Sequence, residues 1–144
     1  MSRHHRLKKT TALAALALAT CTALAQPLRD YRCTIERLAS PDGDKKQILE
    51  SRTKLYQGRE FTVERRTGLM AGALKNSYIT RPEVIDIGSN ENSYKVITTL
   101  RRDQGAGRGS NAYLLVINEH KQGPRKPFVY VDNDDVYFGT CVHF

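Results

Sequence analysis

The cysteines carry the most definite chemistry in this sequence. Of the three, Cys21 lies in an apolar N-terminal stretch, whereas Cys33 and Cys141 are 108 positions apart. Two cysteines in an oxidising compartment form one intramolecular disulfide, so we expect a bond between Cys33 and Cys141. Closing a loop of this length stabilises a fold by about 4 to 5 kcal/mol in the chain-entropy treatment. The alternatives are two buried thiols or a bond between molecules.

Basic residues indicate a second kind of chemistry. Two doublets and one arginine of a glycine-rich loop could form an anion-binding patch: Arg65, Arg66, Arg101, Arg102 and Arg108. Nucleic-acid binding would also require stacking aromatic side chains and a compartment that holds nucleic acid. The N-terminal export signal described below places the protein outside such a compartment. We therefore expect a partner among envelope proteins or anionic cell-surface polymers, and no nucleic acid. Scattered solvated charge is the alternative.

Three further groups of polar residues are better explained by structure than by chemistry. The loop at 105–109 lacks the lysine that ends a phosphate-binding P-loop, so we interpret it as a hairpin tip. The acidic run at 132–135 could bind calcium, but hairpin turns use the same residue types and the EF-hand spacing is absent. The two histidines that follow residue 25 have no nucleophile motif beside them. We expect no catalytic activity, no metal and no cofactor.

The N-terminus has the composition of an export signal. Four basic residues and no acidic one precede an apolar run at 12–19, and Ala23-Leu24-Ala25 stands before Gln26. This order of charged, apolar and small residues predicts a signal peptide at 1–25 and a periplasmic or secreted protein. The apolar run is shorter than the roughly 20 residues that cross a bilayer, so we expect no transmembrane segment. Lipid attachment at Cys21 is an alternative, in which Thr20 replaces the usual Gly, Ala or Ser.

The remaining part, residues 26–144, is expected to form a single β domain. It has 119 residues, which is enough for one hydrophobic core and too few for two. Four of the 23 basic residues lie in the predicted signal and all 15 acidic residues lie outside it, so the net charge falls from +8 to +4. Such a mild excess does not by itself require a polyanionic partner.

The hydrophobic pattern after Asp30 has a period of two. Tyr31, Cys33 and Ile35 alternate with polar residues, which predicts a strand with one buried face. Similar segments predict about eight strands, including a weak one at 48–56. The segment 69–74 could be a bent strand or the start of a short helix, and its two glycines favour the bent strand. We expect an all-β fold, a small antiparallel barrel or a sandwich, whose N- and C-terminal strands are joined by the disulfide. Pairing of these strands would close a barrel and remove both edges.

The gross plan of the chain resembles that of the small periplasmic lysozyme inhibitors. The likeness covers the signal, Cys33 within Tyr31-Arg32-Cys33, and the late Cys141. It implies a disulfide-tied β-barrel of similar size. The family also has an inhibitory loop of the Ser-Gly-x-x-Tyr type, from which the segment 88–94 departs in order and spacing.

These observations favour a non-catalytic envelope protein that binds another protein or an anionic surface. A small-ligand carrier with a hollow barrel is the first alternative, and a lysozyme-inhibitor-like protein is the second. In a carrier the aromatic side chains would line a cavity instead of filling a core. An interior cavity of roughly 300 Å³ with converging polar groups would favour the carrier.

Overall fold

A computed structural model describes residues 28–41, 46–76, 81–104 and 109–144. The predicted signal at 1–25, the alternative lipid site at Cys21 and positions 105–108 of the glycine-rich loop lie outside these residues. Within the described ranges, no helix combines the length and the apolar character needed to cross a membrane.

Eight strands form one antiparallel sheet, which curls into a half-barrel. They are β1 (Tyr31–Ala39), β2 (Glu60–Val63), β3 (Met70–Gly72), β4 (Glu83–Ile87), β5 (Tyr94–Leu100), β6 (Asn111–Ile117), β7 (Lys126–Asp132) and β8 (Asp135–His143). The described residues also form the helix α1 (Lys46–Tyr56) and a short 3-10 turn at Arg102–Gln104. The predicted all-β fold of about eight strands is confirmed.

The core lies on the concave side of the sheet. Alternate residues of β1 are buried, and the same alternation continues in β5, because successive side chains of a strand point to opposite faces. The largest fully buried side chains include Tyr31, Phe61 and Tyr94. Burying a large apolar side chain stabilises the fold by roughly 1.5 to 3 kcal/mol. The period-two pattern therefore identified the core face correctly.

Aromatic rings fill much of the concave interior. Phe61 and Phe128 meet edge to face with their centroids 5.2 Å apart, and the rings of Tyr130 and Tyr137 are 5.8 Å apart. Rings at these separations are in contact. These four side chains belong to the buried core.

The segment at 48–56 is helical, so the strand predicted there is wrong. In α1 only Leu49, Thr53 and Tyr56 are partly buried, and their spacing of four and three residues is that of one helix face. The Tyr56 ring packs edge to face on Tyr137 at 5.5 Å. The segment is rich in Gln, Leu, Glu, Arg and Lys, which favour helices. The helix propensity of these residues and the three partly buried positions on one helix face outweighed the weak period-two alternation of the segment.

The predicted pairing of the first and last strands is confirmed, but it does not close the sheet. β1 pairs with β8 from Tyr31 opposite His143 to Ala39 opposite Val136. The opposite side of β1 pairs with β2, so β1 and β8 lie in the middle of the order β3-β2-β1-β8-β7-β6-β5-β4. The expectation that this pairing removes both edges is therefore wrong. β3 and β4 are the edges, and we call the gap between them the open seam.

Candidate binding groove at the open seam

The disulfide predicted between Cys33 and Cys141 is present. The two cysteines lie directly opposite each other in the β1–β8 pair, and both are fully buried. The bond therefore joins the two central strands of the sheet. A buried disulfide of this kind fits a protein that folds in an oxidising compartment.

The structure divides the predicted basic patch into two groups. Arg65 and Arg66 follow β2 at the end of the sheet where β5 begins, whereas Arg101 and Arg102 follow the other end of β5. β5 has seven residues, so the two groups are about 20 Å apart. Arg108 lies outside the described residues. Anion binding stays a prediction, and it applies to each doublet separately.

Arg65 is buried and bonds across the open seam. Its side chain is 9% exposed. The guanidinium donates to the carbonyl oxygens of Ile87 at 2.9 Å and Gly88 at 3.0 Å, and the Arg65 backbone N–H donates to Asp30. Because Ile87 is the last residue of β4, these bonds tie the β2–β3 turn to the opposite edge of the sheet.

A buried carboxylate balances the charge of Arg65. Glu119 Oε1 lies 3.9 Å from the guanidinium and 2.8 Å from His143 Nε2. The Tyr31 hydroxyl donates to Glu119 Oε2 at 3.2 Å. Burial, followed by the negative charge of Glu119, raises the pKa of the Tyr31 hydroxyl. The four side chains form one polar cluster in which each group bonds to another member.

The acidic run at 132–135 forms the turn between β7 and β8. Asn133 has a left-handed φ of 54°, and its side chain donates to Asp132. Asp135 pairs with Arg52 of α1, and burial raises the pKa of Asp132. Turn bonds and an ion pair thus account for these side chains. Among the described residues there is no group of three His, Cys, Asp or Glu side chains that could hold a metal ion.

Asn76 makes a second polar link across the open seam. Its buried side chain accepts a hydrogen bond from the Met70 N–H at 2.8 Å. It donates to the Gly68 carbonyl at 2.8 Å and to Thr98 Oγ1 at 3.3 Å. Met70 begins β3 and Thr98 belongs to β5. One side-chain amide therefore bonds to groups on both sides of the gap, where no strand ladder joins them.

Gly68 allows the β2–β3 turn to approach the far side of the sheet. Its φ of +74° is one that L-residues rarely adopt, and a Cβ there would lie 2.8 Å from the Val96 side chain and 3.3 Å from Pro82. Glycine satisfies both the dihedral and the space. The turn therefore packs directly onto β5 beside the start of β4.

A groove of about 590 Å³ opens between the β2–β3 turn and the start of β4. We call it the seam groove. Its lining residues are Arg66, Thr67, Leu69, Arg81, Pro82 and Val84. Three of them are polar and three are apolar. Leu69 is 40% exposed, so the apolar part of the lining is accessible to solvent.

The seam groove carries two positive charges. Arg66 and Arg81 are exposed, and neither side chain makes a hydrogen bond or an ion pair within the described part of the chain. Two carboxylates near the walls have other contacts: Glu64 accepts from Thr67 at 2.8 Å, and Asp86 lies 3.4 Å from Lys95 Nζ. Glu83, between Pro82 and Val84, is exposed and does not line the groove. The two arginines are therefore available to an external anion.

Sequence reasoning found only part of this region. Arg66 belongs to the predicted patch, but Arg81, Asn76 and Glu119 are isolated residues in three different connections. No local spacing relates them, because the curl of the sheet alone brings these connections together. Only Glu119 gave a usable signal of this region. It is an acidic residue two positions after β6, the most apolar strand, and a carboxylate buried there would require a cationic partner.

Comparison of the chain with protein-family models, with curated proteins and with solved structures finds no match. The gross likeness to lysozyme inhibitors therefore gains no support from a shared fold. The function has to be argued from the groove and its surroundings.

Proposed function

We propose that this protein is an exported, non-catalytic binding protein whose seam groove holds an extended, acidic segment of another envelope protein. One observation carries the proposal. The β2–β3 turn and the start of the edge strand β4 form one groove, and this groove is lined by two arginines without partners in the described chain.

The backbone of β4 supports recognition of an extended segment. As an edge strand, β4 has no partner among the described strands on the side that faces the open seam, and such edges pair readily with an added strand. Leu69, Pro82 and Val84 line the same groove. Main-chain bonds would supply affinity, and these apolar side chains would select the residues that alternate along the bound strand.

The two arginines support an acidic partner. Arg66 comes from the β2–β3 turn and Arg81 from the segment before β4, so the two cations lie on opposite walls of the groove. A guanidinium binds a carboxylate through two parallel hydrogen bonds. An anionic polymer could neutralise the same charges, but it would leave the apolar lining and the free strand edge unused. These features together favour a protein segment over a polymer.

The walls of the groove are held in place before binding. Arg65 bonds the β2–β3 turn to the end of β4, and Asn76 bonds the same turn to β5. A preorganised groove loses little conformational freedom on binding. Most of the ordering cost then falls on the partner segment.

Export can be tested by fractionation and mass spectrometry. We expect the native protein in the periplasm or the medium, beginning at Gln26 and containing the Cys33–Cys141 bond. A lipid-modified N-terminal Cys21 would support the anchored alternative. An intact 144-residue chain in the cytosol with reduced cysteines would contradict export.

The groove can be tested with two variants of equal charge change. The first combines Arg66→Glu with Arg81→Glu. The control combines Lys54→Glu with Arg59→Glu, because both residues are exposed and lie outside the groove lining and the predicted basic patch. Immobilised wild type and control are expected to retain the same protein from a native envelope extract, and the groove variant is expected to lose it. Equal melting temperatures would show that all three chains are folded.

Binding can then be measured with a synthetic peptide that carries the acidic segment of the retained protein. On binding, we expect amide hydrogen exchange in β4 to slow and exchange in β7 to stay unchanged. Retention of the same proteins by all three chains would contradict the proposal. So would retention of an anionic polymer without any protein, or a complete lack of retained protein.

A further inference from the structure

The edge strand β4 exposes two large apolar side chains beside the seam groove. Ile85 is 57% exposed and Ile87 is 40% exposed. Asp86 stands between them and points to the outer face of the sheet, where it pairs with Lys95. Because neighbouring residues of a strand point to opposite faces, both isoleucines lie on the concave side. The apolar lining of the seam groove therefore continues along β4.

The charges of β4 do not protect this side of the strand. Edge strands often carry charged side chains that prevent pairing with other chains. The acidic residues of β4 are Glu83 and Asp86. Val84 packs against the core, so the neighbouring Glu83 points to the outer face, as Asp86 does. The concave side of β4 is thus apolar, and an added strand meets no negative charge there.

The two ends of β4 differ in chemistry. Arg81 stands two residues before the strand, and together with Arg66 it places the charge of the seam groove beside the start of β4. At the other end, the Arg65 guanidinium already occupies the carbonyl oxygens of Ile87 and Gly88. A strand added to β4 must therefore end its main-chain pairing before these carbonyl groups. Its acidic residues must lie at the opposite end, beside the start of β4.

A short ladder favours antiparallel addition. All seven described strand pairs are antiparallel, and antiparallel pairing is slightly more stable per residue than parallel pairing. Two opposite residues of an antiparallel pair can also exchange both of their main-chain hydrogen bonds. A ladder limited to the first part of β4 can therefore still contain complete pairs.

We infer that the bound segment runs antiparallel to β4, with apolar residues at its start and acidic residues at its end. The inference rests on the proposed function of the seam groove. In this direction the segment begins beside Ile87 and ends between Arg66 and Arg81. Its alternate apolar side chains pack on Ile85 and Ile87, and its carboxylates bind the two guanidinium groups.

Two capped peptides of identical composition test the direction. One has the order acetyl-Thr-Val-Thr-Val-Asp-Asp-amide, and the other has the reversed order acetyl-Asp-Asp-Val-Thr-Val-Thr-amide. The first reaches the isoleucines and the arginines when it is antiparallel to β4, whereas the second does so when it is parallel. In NMR titrations of the isotope-labelled, disulfide-bonded protein, we expect the first peptide to bind about tenfold more tightly, a difference of about 1.4 kcal/mol.

A nitroxide at the N-terminus of the first peptide, in place of the acetyl group, reports the direction independently. We expect it to broaden the amide signals of Ile87 and Gly88 more strongly than that of Glu83.

The apolar contacts can be tested with Ile85→Thr and Ile87→Thr, which keep a β-branched side chain. Each substitution is expected to weaken binding of the first peptide about fivefold. Val142→Thr is the matched control, because Val142 is also exposed but lies on β8. We expect it to leave the affinity unchanged. Equal effects of all three substitutions would overturn the inferred packing on β4.

The outcomes separate this inference from the proposed function. Equal affinities for the two peptides, or tighter binding of the reversed one, would overturn the inferred direction. If that binding is lost in the variant that combines Arg66→Glu with Arg81→Glu, the proposed function stands. A nitroxide effect centred on Glu83 would also overturn the direction. Failure of both peptides to bind would overturn the inferred pattern, and retention of a native partner through the groove arginines would then still support the proposed function.

Discussion

The two junctions of the half-barrel are built from different kinds of bond. Where β1 meets β8, main-chain pairing runs the full length of both strands and a buried disulfide joins them. At the open seam, the side chains of Arg65 and Asn76 make the cross-links. The first junction combines main-chain hydrogen bonds along both strands with one covalent bond, whereas the cross-links of the second are hydrogen bonds made by two particular side chains.

This difference has a consequence for function. A continuous strand ladder leaves no backbone group available to a ligand, so the β1–β8 junction can only stabilise the fold. The open seam keeps the edges of β3 and β4 apart and leaves a groove between them. Side-chain links hold the curl of the sheet and bond to only one end of each edge strand, at Ile87 of β4 and at Met70 of β3. Under the proposed function, the open seam is the junction that binds a partner.

The largest effect should follow from removing the covalent link. In the double variant Cys33→Ala with Cys141→Ala, the loop constraint on the unfolded chain is lost. We expect the free energy of unfolding, measured in guanidinium chloride, to fall by about 4 kcal/mol. A loss below about 1 kcal/mol would show that strand pairing alone holds the centre of the sheet.

Removing Arg65 should be the next most damaging change. Arg65→Met preserves much of the side-chain volume but removes the buried guanidinium beside Glu119 and leaves two carbonyl oxygens without their donor. Breaking one partner of a buried ion pair costs about 3 kcal/mol, and we expect a loss of that size in the same assay. Arg66→Met is the matched control, and its exposed side chain predicts a change within about 0.5 kcal/mol. Equal effects of the two substitutions would contradict the special role of Arg65.

Asn76→Ala should cost less, because the lost groups are uncharged. The substitution leaves the Met70 N–H and the Gly68 carbonyl unpaired in a buried setting, which predicts a loss of about 2 kcal/mol. Lys75→Ala, at the exposed neighbouring position, should change stability little. Hydrogen exchange should become faster in β3 and remain slow in β1 and β8. Faster exchange in β1, β3 and β8 alike would show that the open seam does not unfold separately from the centre of the sheet.

The smallest effect concerns pH at the end of β4. The Gly88 N–H donates to Asp86 at 2.9 Å; this bond and the nearby Lys95 lower the pKa of the carboxyl. Because the folded pKa is below the unfolded value, the stabilisation is present above the unfolded pKa and disappears as pH falls through the folded one. The melting-temperature difference between wild type and Asp86→Asn should therefore be greatest near neutral pH and vanish in acid. A difference that does not vary with pH would contradict this assignment.

Local sequence patterns predicted the parts of the fold that depend on local rules. The alternation in β1 follows from side chains that point to opposite faces, so the burial of Tyr31, Cys33 and Ile35 could be assigned without a structure. The hydrophobic pattern wrongly predicted a strand at 48–56. Only Leu49, Thr53 and Tyr56 of this segment are partly buried, and three positions give a weak helical periodicity. The groove could not be predicted from the sequence. Arg66 and Arg81 meet because of the curl of the sheet, in which five strands lie between β2 and β4.

The sequence by itself determined the class of fold and the disulfide. Period-two alternation and turn residues are local properties, and Cys33 and Cys141 were the only thiols left to pair after the predicted signal. Only the tertiary structure decided where the sheet stays open. That choice depends on β2 taking the second side of β1, on the total curl of eight strands, and on two side chains that reach across the gap. Each of these is a long-range geometric relation that no short stretch of residues contains.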